Sequence, residues 1–229
     1  QFKNFIMIYQ ILNVAGMGLA FLSLFGLAEY LYHFQNWGVE KTRKLTHIGS
    51  GLIAMLFPVL FDSIWIVSLL SLSFLGILAL SKDYKLLPSI NAVERKTTGS
   101  FWFPIAVILC FAAYLQFDNE AFYYLPLLTL SFADPMACLV GKKWPVHIFQ
   151  FKESQKSIGG SFAFLVVGFI LGTVLIDDGF QIGLLTPLYI SLLATTAEFF
   201  GGKGYDNILI PLACIAAMYI LQTPNLIYA

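Results

Sequence analysis

The chain has 229 residues, of which 59% are hydrophobic and only 11% charged, with 13 basic and 13 acidic side chains. Soluble domains carry about 25% charged residues, so this composition excludes an ordinary water-soluble domain. The odd set of three cysteines argues against a disulfide scaffold, and the balanced charge gives no sign of a nucleic-acid partner. We therefore expect an integral membrane protein built from helices.

Long apolar runs predict an all-α, polytopic membrane helix bundle that forms a single domain over residues 1–229. About eight apolar segments follow one another, at 5–31, 48–61, 63–80, 101–117, 121–140, 158–176, 181–200 and 208–221. The second segment is the weakest, because it contains Pro58 near its end. It can extend backwards through Lys44 as a helix that leaves the bilayer, and seven spans is the alternative count.

The loop charges predict the orientation of these segments. Twelve of the 13 basic residues lie in the loops after the first, third, fifth and seventh segments, whereas the other loops carry acidic but no basic residues. With eight spans, the basic loops share one face, which the positive-inside rule makes cytoplasmic. These loops are 32–47, 81–100, 141–157 and 201–207.

The first polar cluster lies in the loop after the first segment. If this stretch is helical, Arg43, His47 and Gly51 share one face, with Lys44 beside them. Such a face suits a polyanion, for example the phosphates of a nucleotide. The alternative is a basic stop before a span, which binds anionic headgroups.

Two further clusters come directly before predicted helices. Free N–H groups at a helix start, small residues and a cation together suit a phosphate, although simple helix capping is the alternative. The sequence G-x-x-x-x-G-K-[ST] is absent, so we reject a P-loop NTPase. The residues concerned are Arg95 and Lys96 in one cluster, and Lys156, Ser157, Gly159 and Gly160 in the other.

Asp134 lies inside an apolar run and is followed by Pro135, with Gly141, Lys142 and Lys143 after it as candidate phosphate-binding residues. A carboxylate at membrane depth costs ~2.5–3.5 kcal/mol on insertion scales and therefore indicates a functional site. Pro135 is expected to break the helix locally, and the exposed carbonyls together with Asp134 could bind Mg²⁺. The alternative is a structural Asp that caps a broken helix.

A last cluster lies around a glycine-rich turn near the end of the chain. Glu198 precedes the turn, and Asp206 and Asn207 follow it. Carboxylate and amide oxygens at this spacing could complete a metal or hydroxyl site. They could equally be interfacial turn residues.

Taken together, these clusters resemble the CTP-dependent lipid kinase family, which includes dolichol kinase, phytol and farnesol kinases, and the yeast-type diacylglycerol kinase. The matching elements are Arg-Lys-x-x-His before a span, Asp-Pro followed by Gly-Lys-Lys, Lys-Ser-x-Gly-Gly-Ser, and Asp-Asn-x-x-x-Pro, and they extend over residues 43–211. The resemblance implies that Arg43, Lys44, Asp134 and Gly141 are needed for activity. It also implies a phosphate-binding element formed by Lys156, Ser157, Gly159 and Gly160.

The resemblance implies a transferase that moves the γ-phosphate of CTP onto the hydroxyl of a membrane alcohol. The carboxylates suggest Mg²⁺ or another divalent cation as cofactor, and the basic loops place the reaction at the cytoplasmic face. Polyprenol, phytol, farnesol and diacylglycerol all present one hydroxyl and an apolar tail, and the sequence leaves the choice among them open. A phosphatidate cytidylyltransferase that makes a CDP-lipid is a second hypothesis, because that family is similar. A small ion-coupled transporter with Asp134 and Glu198 as coupling carboxylates is a third.

Overall fold

The computed structural model describes residues 2–92, 98–151, 154–176 and 183–226. It confirms the predicted fold class, an all-α polytopic membrane bundle. Five of the described helices are long and apolar enough to cross a membrane: Met7–Phe34, Ile64–Asp83, Gly99–Phe117, Ala121–Lys143 and Ile158–Leu175. Two described helices are apolar but shorter, Leu185–Phe200 and Asp206–Gln222.

The chain divides into two compact units, Gln1–Lys96 and Thr97–Ala229. The first unit contains α1 (Phe2–Phe34), α2 (Val39–Ala54), α3 (Phe57–Leu60), α4 (Ile64–Asp83) and α5 (Pro88–Asn91). The second contains α6 (Gly99–Phe117), α7 (Ala121–Leu128), a π-helical turn (Thr129–Ala133), α8 (Asp134–Lys143), β1 (Ile148–Phe151), β2 (Ser154–Ser157), α9 (Ile158–Leu175), α10 (Leu185–Phe200) and α11 (Asp206–Leu226). The single domain stays a prediction.

The second predicted segment differs most from its expected bounds. Its helix, α2, begins at Val39 and ends at Ala54, so it does extend backwards through the basic cluster. A separate short helix, α3, begins at Phe57, and Pro58 lies in its first turn, where its missing N–H costs no hydrogen bond. Since the first half of α2 is charged, the choice between seven and eight spans depends on this helix.

The first unit is held together where α1 meets α2 and α5. Gly49 of α2 packs so closely on α1 that an added Cβ would lie 2.7 Å from Leu24 Cδ1. Glu29 of α1 accepts hydrogen bonds from the N–H of Ser89 at 3.0 Å and from its hydroxyl at 2.5 Å. The hydroxyl of Thr42 in α2 donates to the Ser89 carbonyl oxygen at 2.6 Å. Polar contacts thus fix the short helix α5 to both of its neighbours.

The second unit has an apolar core formed by α6 to α11, in which Phe164, Ala194 and Cys214 are fully buried. Small residues bring α9 and α10 together, since an added Cβ on Gly172 would lie 2.7 Å from Pro187 Cβ. The free thiols of the unit differ in burial. Cys110 and Cys214 are buried, whereas Cys138 in α8 is half-buried.

The expected break at Pro135 is corrected by the structure. The chain stays helical from α7 through Thr129–Ala133 into α8, and these five residues form a π-helical turn. Proline lacks an N–H and its ring clashes with the carbonyl four residues earlier in a regular α-helix. A wider π turn just before the proline relieves that clash without ending the helix, and it places Asp134 at the start of α8.

A short β-hairpin, which the sequence analysis did not predict, precedes α9. Strands β1 and β2 pair antiparallel, with Ile148 opposite Ser157 and Phe149 opposite Lys156. The four-residue strands are too short to give a clear alternating pattern. The hairpin nevertheless positions Lys156 and Ser157, because β2 runs directly into α9.

Candidate active site

Lys156 lies at the centre of a charged cluster in the second unit. Its Nζ is 2.5 Å from Oε1 of Glu198 and 3.9 Å from Oδ2 of Asp206. Glu198 lies in the last turn of α10 and is only 3% exposed, while Asp206 begins α11. We call these three residues the charged centre; β2, α10 and α11 bring them together from distant parts of the chain.

The carboxylates keep Lys156 protonated. Burial by itself lowers the pKa of Lys156, but Glu198, Asp206 and Asp134 outweigh burial and raise this pKa above its ordinary value of 10.5. Asp134 therefore acts on Lys156 through its charge, from the first turn of α8. Lys156 is therefore a largely buried cation that stays charged at neutral pH, directly before the start of α9.

The predicted phosphate-binding helix start is capped by its own chain. The Gly160 N–H donates to Ser157 Oγ at 3.1 Å. An added Cβ on Gly141 would lie 2.7 Å from the same Ser157 Oγ, and one on Gly160 would lie 2.7 Å from the Ala137 carbonyl oxygen. These contacts support the capping alternative for Ser157 and a packing role for the two glycines, which let α8 and α9 meet.

Two predicted phosphate-binding lysines, Lys142 and Lys143, end α8 and are exposed. Cations are favourable there because they face the negative end of the helix dipole. Lys143 Nζ lies 4.7 Å from the centroid of the Trp144 ring. Gly159 packs against the backbone of Trp144, since an added Cβ on Gly159 would lie 2.9 Å from the Trp144 carbonyl oxygen.

The glycine-rich turn after α10 is bound to the start of α6. The N–H and hydroxyl of Thr98 both donate to the Lys203 carbonyl oxygen, at 2.8 and 3.0 Å. The Asn207 side-chain amide donates to the Gly99 carbonyl oxygen at 2.7 Å. Asn207 thus has a clear structural role in fixing this turn. Two predicted supporting residues lie outside the described ranges, Arg95 and Lys96.

In the first unit, the predicted catalytic and phosphate-binding residues of α2 are half-buried: Arg43, Lys44 and His47. Arg43 Nη1 lies 3.8 Å from Oε1 of Glu40, one turn earlier. The helix is confirmed, so Arg43, His47 and Gly51 do lie at the spacing that places them on one face.

In the described part of the chain, no three His, Cys, Asp or Glu residues are grouped so that they could hold a metal ion. Glu198 pairs instead with Lys156. Mg²⁺, however, is usually held by one or two carboxylates together with substrate phosphates. The hard oxygens of Asp134 and Asp206, which both act on Lys156, suit such a shared site.

Ser161 is a polar contact that the sequence analysis did not assign. Its hydroxyl lies 3.4 Å from the second carboxylate oxygen of Glu198. Ser161 is one turn after Ser157 in a cluster of small residues, and this helical spacing could have indicated it. The partner of Lys156 could not be found in this way, because Glu198 is 42 residues away.

Comparisons with known proteins add one finding to this geometry. No family model matches the chain, and no solved structure matches it. The chain is similar to a phytol kinase of Synechocystis sp., with 26% identity over 188 residues. The matched region covers 81% of this chain and 81% of the relative.

Proposed function

We propose that this membrane protein is a kinase that phosphorylates the hydroxyl of a lipid alcohol, with CTP as donor and Mg²⁺ as cofactor, at the cytoplasmic face. The similarity to a phytol kinase over 81% of both chains carries this proposal. The preference for CTP rests on the motif resemblance, and the cytoplasmic face rests on the distribution of basic residues.

The charged centre suits phosphoryl transfer. In this reaction catalysis is mostly positioning and electrostatic stabilisation, because the protein has little covalent chemistry to perform. A lysine whose pKa is raised by carboxylates stays charged at neutral pH, so Lys156 can hold a phosphate oxygen. For the first unit we propose separately that Arg43 and Lys44 of α2 bind phosphate, because Arg offers a planar fork and Lys a point charge.

The step itself transfers one phosphoryl group. The alcohol oxygen attacks the γ-phosphorus and forms a new O–P bond, while the bond from that phosphorus to the bridging oxygen breaks and CDP leaves with the electron pair. Bound Mg²⁺ would neutralise charge on the phosphate oxygens, with Asp134 and Asp206 as its protein ligands. Asp134 has a second candidate role, as acceptor of the hydroxyl proton. The reaction leaves a lipid monophosphate and CDP.

Separately labelled nucleotides test the proposal. The purified protein is incubated with CTP labelled at the α or the γ position and with a panel of phytol, farnesol, polyprenol and diacylglycerol, and the labelled lipid is identified by mass. Label from the γ position in the lipid supports the kinase. Label from the α position in the lipid, with release of unlabelled pyrophosphate when phosphatidate is supplied, would show a cytidylyltransferase instead. ATP in parallel reactions tests the nucleotide preference.

A further inference from the structure

Four phenylalanine rings lie beside the charged centre, and we call them the aromatic cluster: Phe149, Phe151, Phe199 and Phe200. The ring of Phe199 is 5.3 Å from that of Phe149, 5.4 Å from that of Phe151 and 5.4 Å from that of Phe200, centroid to centroid. The ring planes cross at 74° to 90° in these pairs, which is the favoured edge-to-face arrangement. The cluster joins the hairpin to the end of α10.

The hairpin and α10 each carry residues of both the aromatic cluster and the charged centre. In the hairpin, Phe149 lies directly opposite Lys156, and opposite residues of an antiparallel pair project from the same face. In α10, Phe199 follows Glu198 in the chain. The two elements that supply the rings therefore also supply the two partners of the buried ion pair.

The depth of the hairpin in the membrane follows from its backbone. A two-stranded sheet leaves unpaired N–H and C=O groups along its outer edges, and such groups are not tolerated facing hydrocarbon. The hairpin therefore lies outside the hydrocarbon, and because it directly joins the candidate spans Ala121–Lys143 and Ile158–Leu175 it stays near the interface, where the hydroxyl end of a lipid alcohol also lies. Its rings remain accessible there, since Phe149 is 43% and Phe200 is 69% exposed.

We propose that the aromatic cluster binds the first carbons of the alcohol's chain and so places the hydroxyl beside Lys156 and Glu198. This inference rests on the proposed kinase function and deepens it by naming the class of acceptor. The rings offer apolar faces and edges but no hydrogen-bond donor. Hydrocarbon next to the carbinol carbon fits them, whereas the ester carbonyls of a diacylglycerol would lose water without gaining a partner. The cluster thus selects single-chain hydrocarbon alcohols over diacylglycerol.

Kinetics with two acceptors test the selection. Phe149→Ala and Phe199→Ala are compared with the wild type in lipid nanodiscs, using geranylgeraniol and dioctanoylglycerol as acceptors. We expect the KM for geranylgeraniol to rise about tenfold on loss of a ring contact, the preference over dioctanoylglycerol to fall, and the KM for the nucleotide to stay the same. Phe162→Ala is the matched control, because Phe162 is 64% exposed on α9 and lies outside the cluster.

A conservative variant and a binding readout separate the possible failures. Phe199→Leu keeps most of the apolar volume and should shift the geranylgeraniol KM in the same direction by a smaller factor. If active Phe199 variants keep the wild-type KM and preference, the inference is wrong although the kinase proposal stands. If the wild type phosphorylates no alcohol, the kinase proposal is wrong. A diazirine-bearing long-chain alcohol then tests the surface alone: crosslinks enriched at 148–151 and 199–200 support it, and crosslinks spread equally to the Phe162 peptide overturn it.

Discussion

Asp134 and Lys156 carry opposite charges in the same part of the second unit, but they differ in their position in the fold and in their pairing. Asp134 begins a helix after a π turn, and its carboxylate contributes to raising the pKa of Lys156. Lys156 is nearly buried and paired. The first residue is therefore expected to matter mainly for chemistry, and the second for both chemistry and folding.

Asp134→Asn is expected to reduce turnover at least ~100-fold while the fold is kept. Asparagine has nearly the same shape but loses the charge that would hold Mg²⁺ or accept a proton. Initial rates at saturating Mg²⁺ and thermal unfolding in detergent measure the two effects. Asp118→Asn is the matched control, since Asp118 is exposed at the end of α6. Near-normal turnover of Asp134→Asn would make this carboxylate structural.

Lys156→Met is expected to cost about 3–5 kcal/mol of unfolding free energy, because it leaves the buried Glu198 carboxylate without its partner. The double variant Lys156→Met, Glu198→Leu should recover most of that stability, since an apolar pair of similar volume is often neutral. Activity should stay lost in both. Denaturant unfolding monitored by tryptophan fluorescence, together with phosphoryl-transfer rates, would separate these outcomes; recovery of activity in the double variant would contradict a phosphate-binding role.

The same pair predicts a pH dependence of stability. The pKa of Lys156 is raised in the folded protein above its ordinary value of 10.5. Its contribution to the free energy of unfolding is therefore complete below pH 10.5 and is lost as the pH rises through the higher folded-state pKa. Lys156→Met should remove this alkaline decline, relative to the wild type, in unfolding curves recorded at increasing pH.

At the scale of elements, α2 and the contact between α8 and α9 give contrasting tests. The α2 helix carries two half-buried cations, Arg43 and Lys44. The α8–α9 contact depends on Gly141 and Gly160, whose lack of a side chain lets the two helices approach closely. We expect substitutions in α2 to change nucleotide binding and substitutions in the α8–α9 contact to change the stability of the fold.

On α2, Arg43→Lys should raise the KM for CTP severalfold, because a lysine cannot reproduce the two parallel hydrogen bonds of a guanidinium to phosphate oxygens. The KM for the lipid alcohol should not change. Lys41→Ala on the same helix is the control, since Lys41 is exposed. A change confined to the alcohol KM would instead place Arg43 at a headgroup-binding site.

In the α8–α9 contact, Gly160→Ala is expected to destabilise the protein by about 1–3 kcal/mol. The added Cβ would lie 2.7 Å from the Ala137 carbonyl oxygen, which is backbone and cannot move alone. Gly76→Ala in α4 is the control, because nothing lies within 4 Å of its added Cβ; alanine there should be neutral or slightly stabilising. Equal melting temperatures for the two variants would show that α8 and α9 are not tightly packed.

How much of these elements could be predicted depended on the range of the interactions involved. Apolar runs define the long helices locally, so the fold class followed from composition and segment length. The helix break expected at Pro135 was wrong, because the chain stays helical through Thr129–Ala133 into α8. The π turn at Thr129–Ala133 was not predicted, because one inserted residue in a helix leaves no signal in the apolar pattern. The Lys156–Glu198 pair was not predicted either, since only the tertiary fold brings β2 to the end of α10.

At the scale of the whole molecule, the distribution of charge predicts the membrane topology. Single cysteines are introduced at exposed positions of the basic loops in a background without the native cysteines. All four should react with a membrane-impermeant maleimide from the cytoplasmic side only. A cysteine at Asp118 should react from the opposite side. Labelling of loops 81–100 and 141–157 from opposite sides would contradict the topology. The substituted positions are Lys41, Lys85, Lys143 and Lys203.

The unequal burial of the native thiols has a practical consequence for spectroscopy. Cys110 and Cys214 are enclosed by the core, whereas Cys138 is half-buried and lies four residues after Asp134 on α8, on the same side of the helix. A small thiol-reactive fluorophore or spin probe would therefore attach preferentially at Cys138, one helical turn from Asp134. The unmodified sequence thus offers an attachment point for a probe that reports ligand binding at the proposed site in real time, without turnover and without an engineered cysteine.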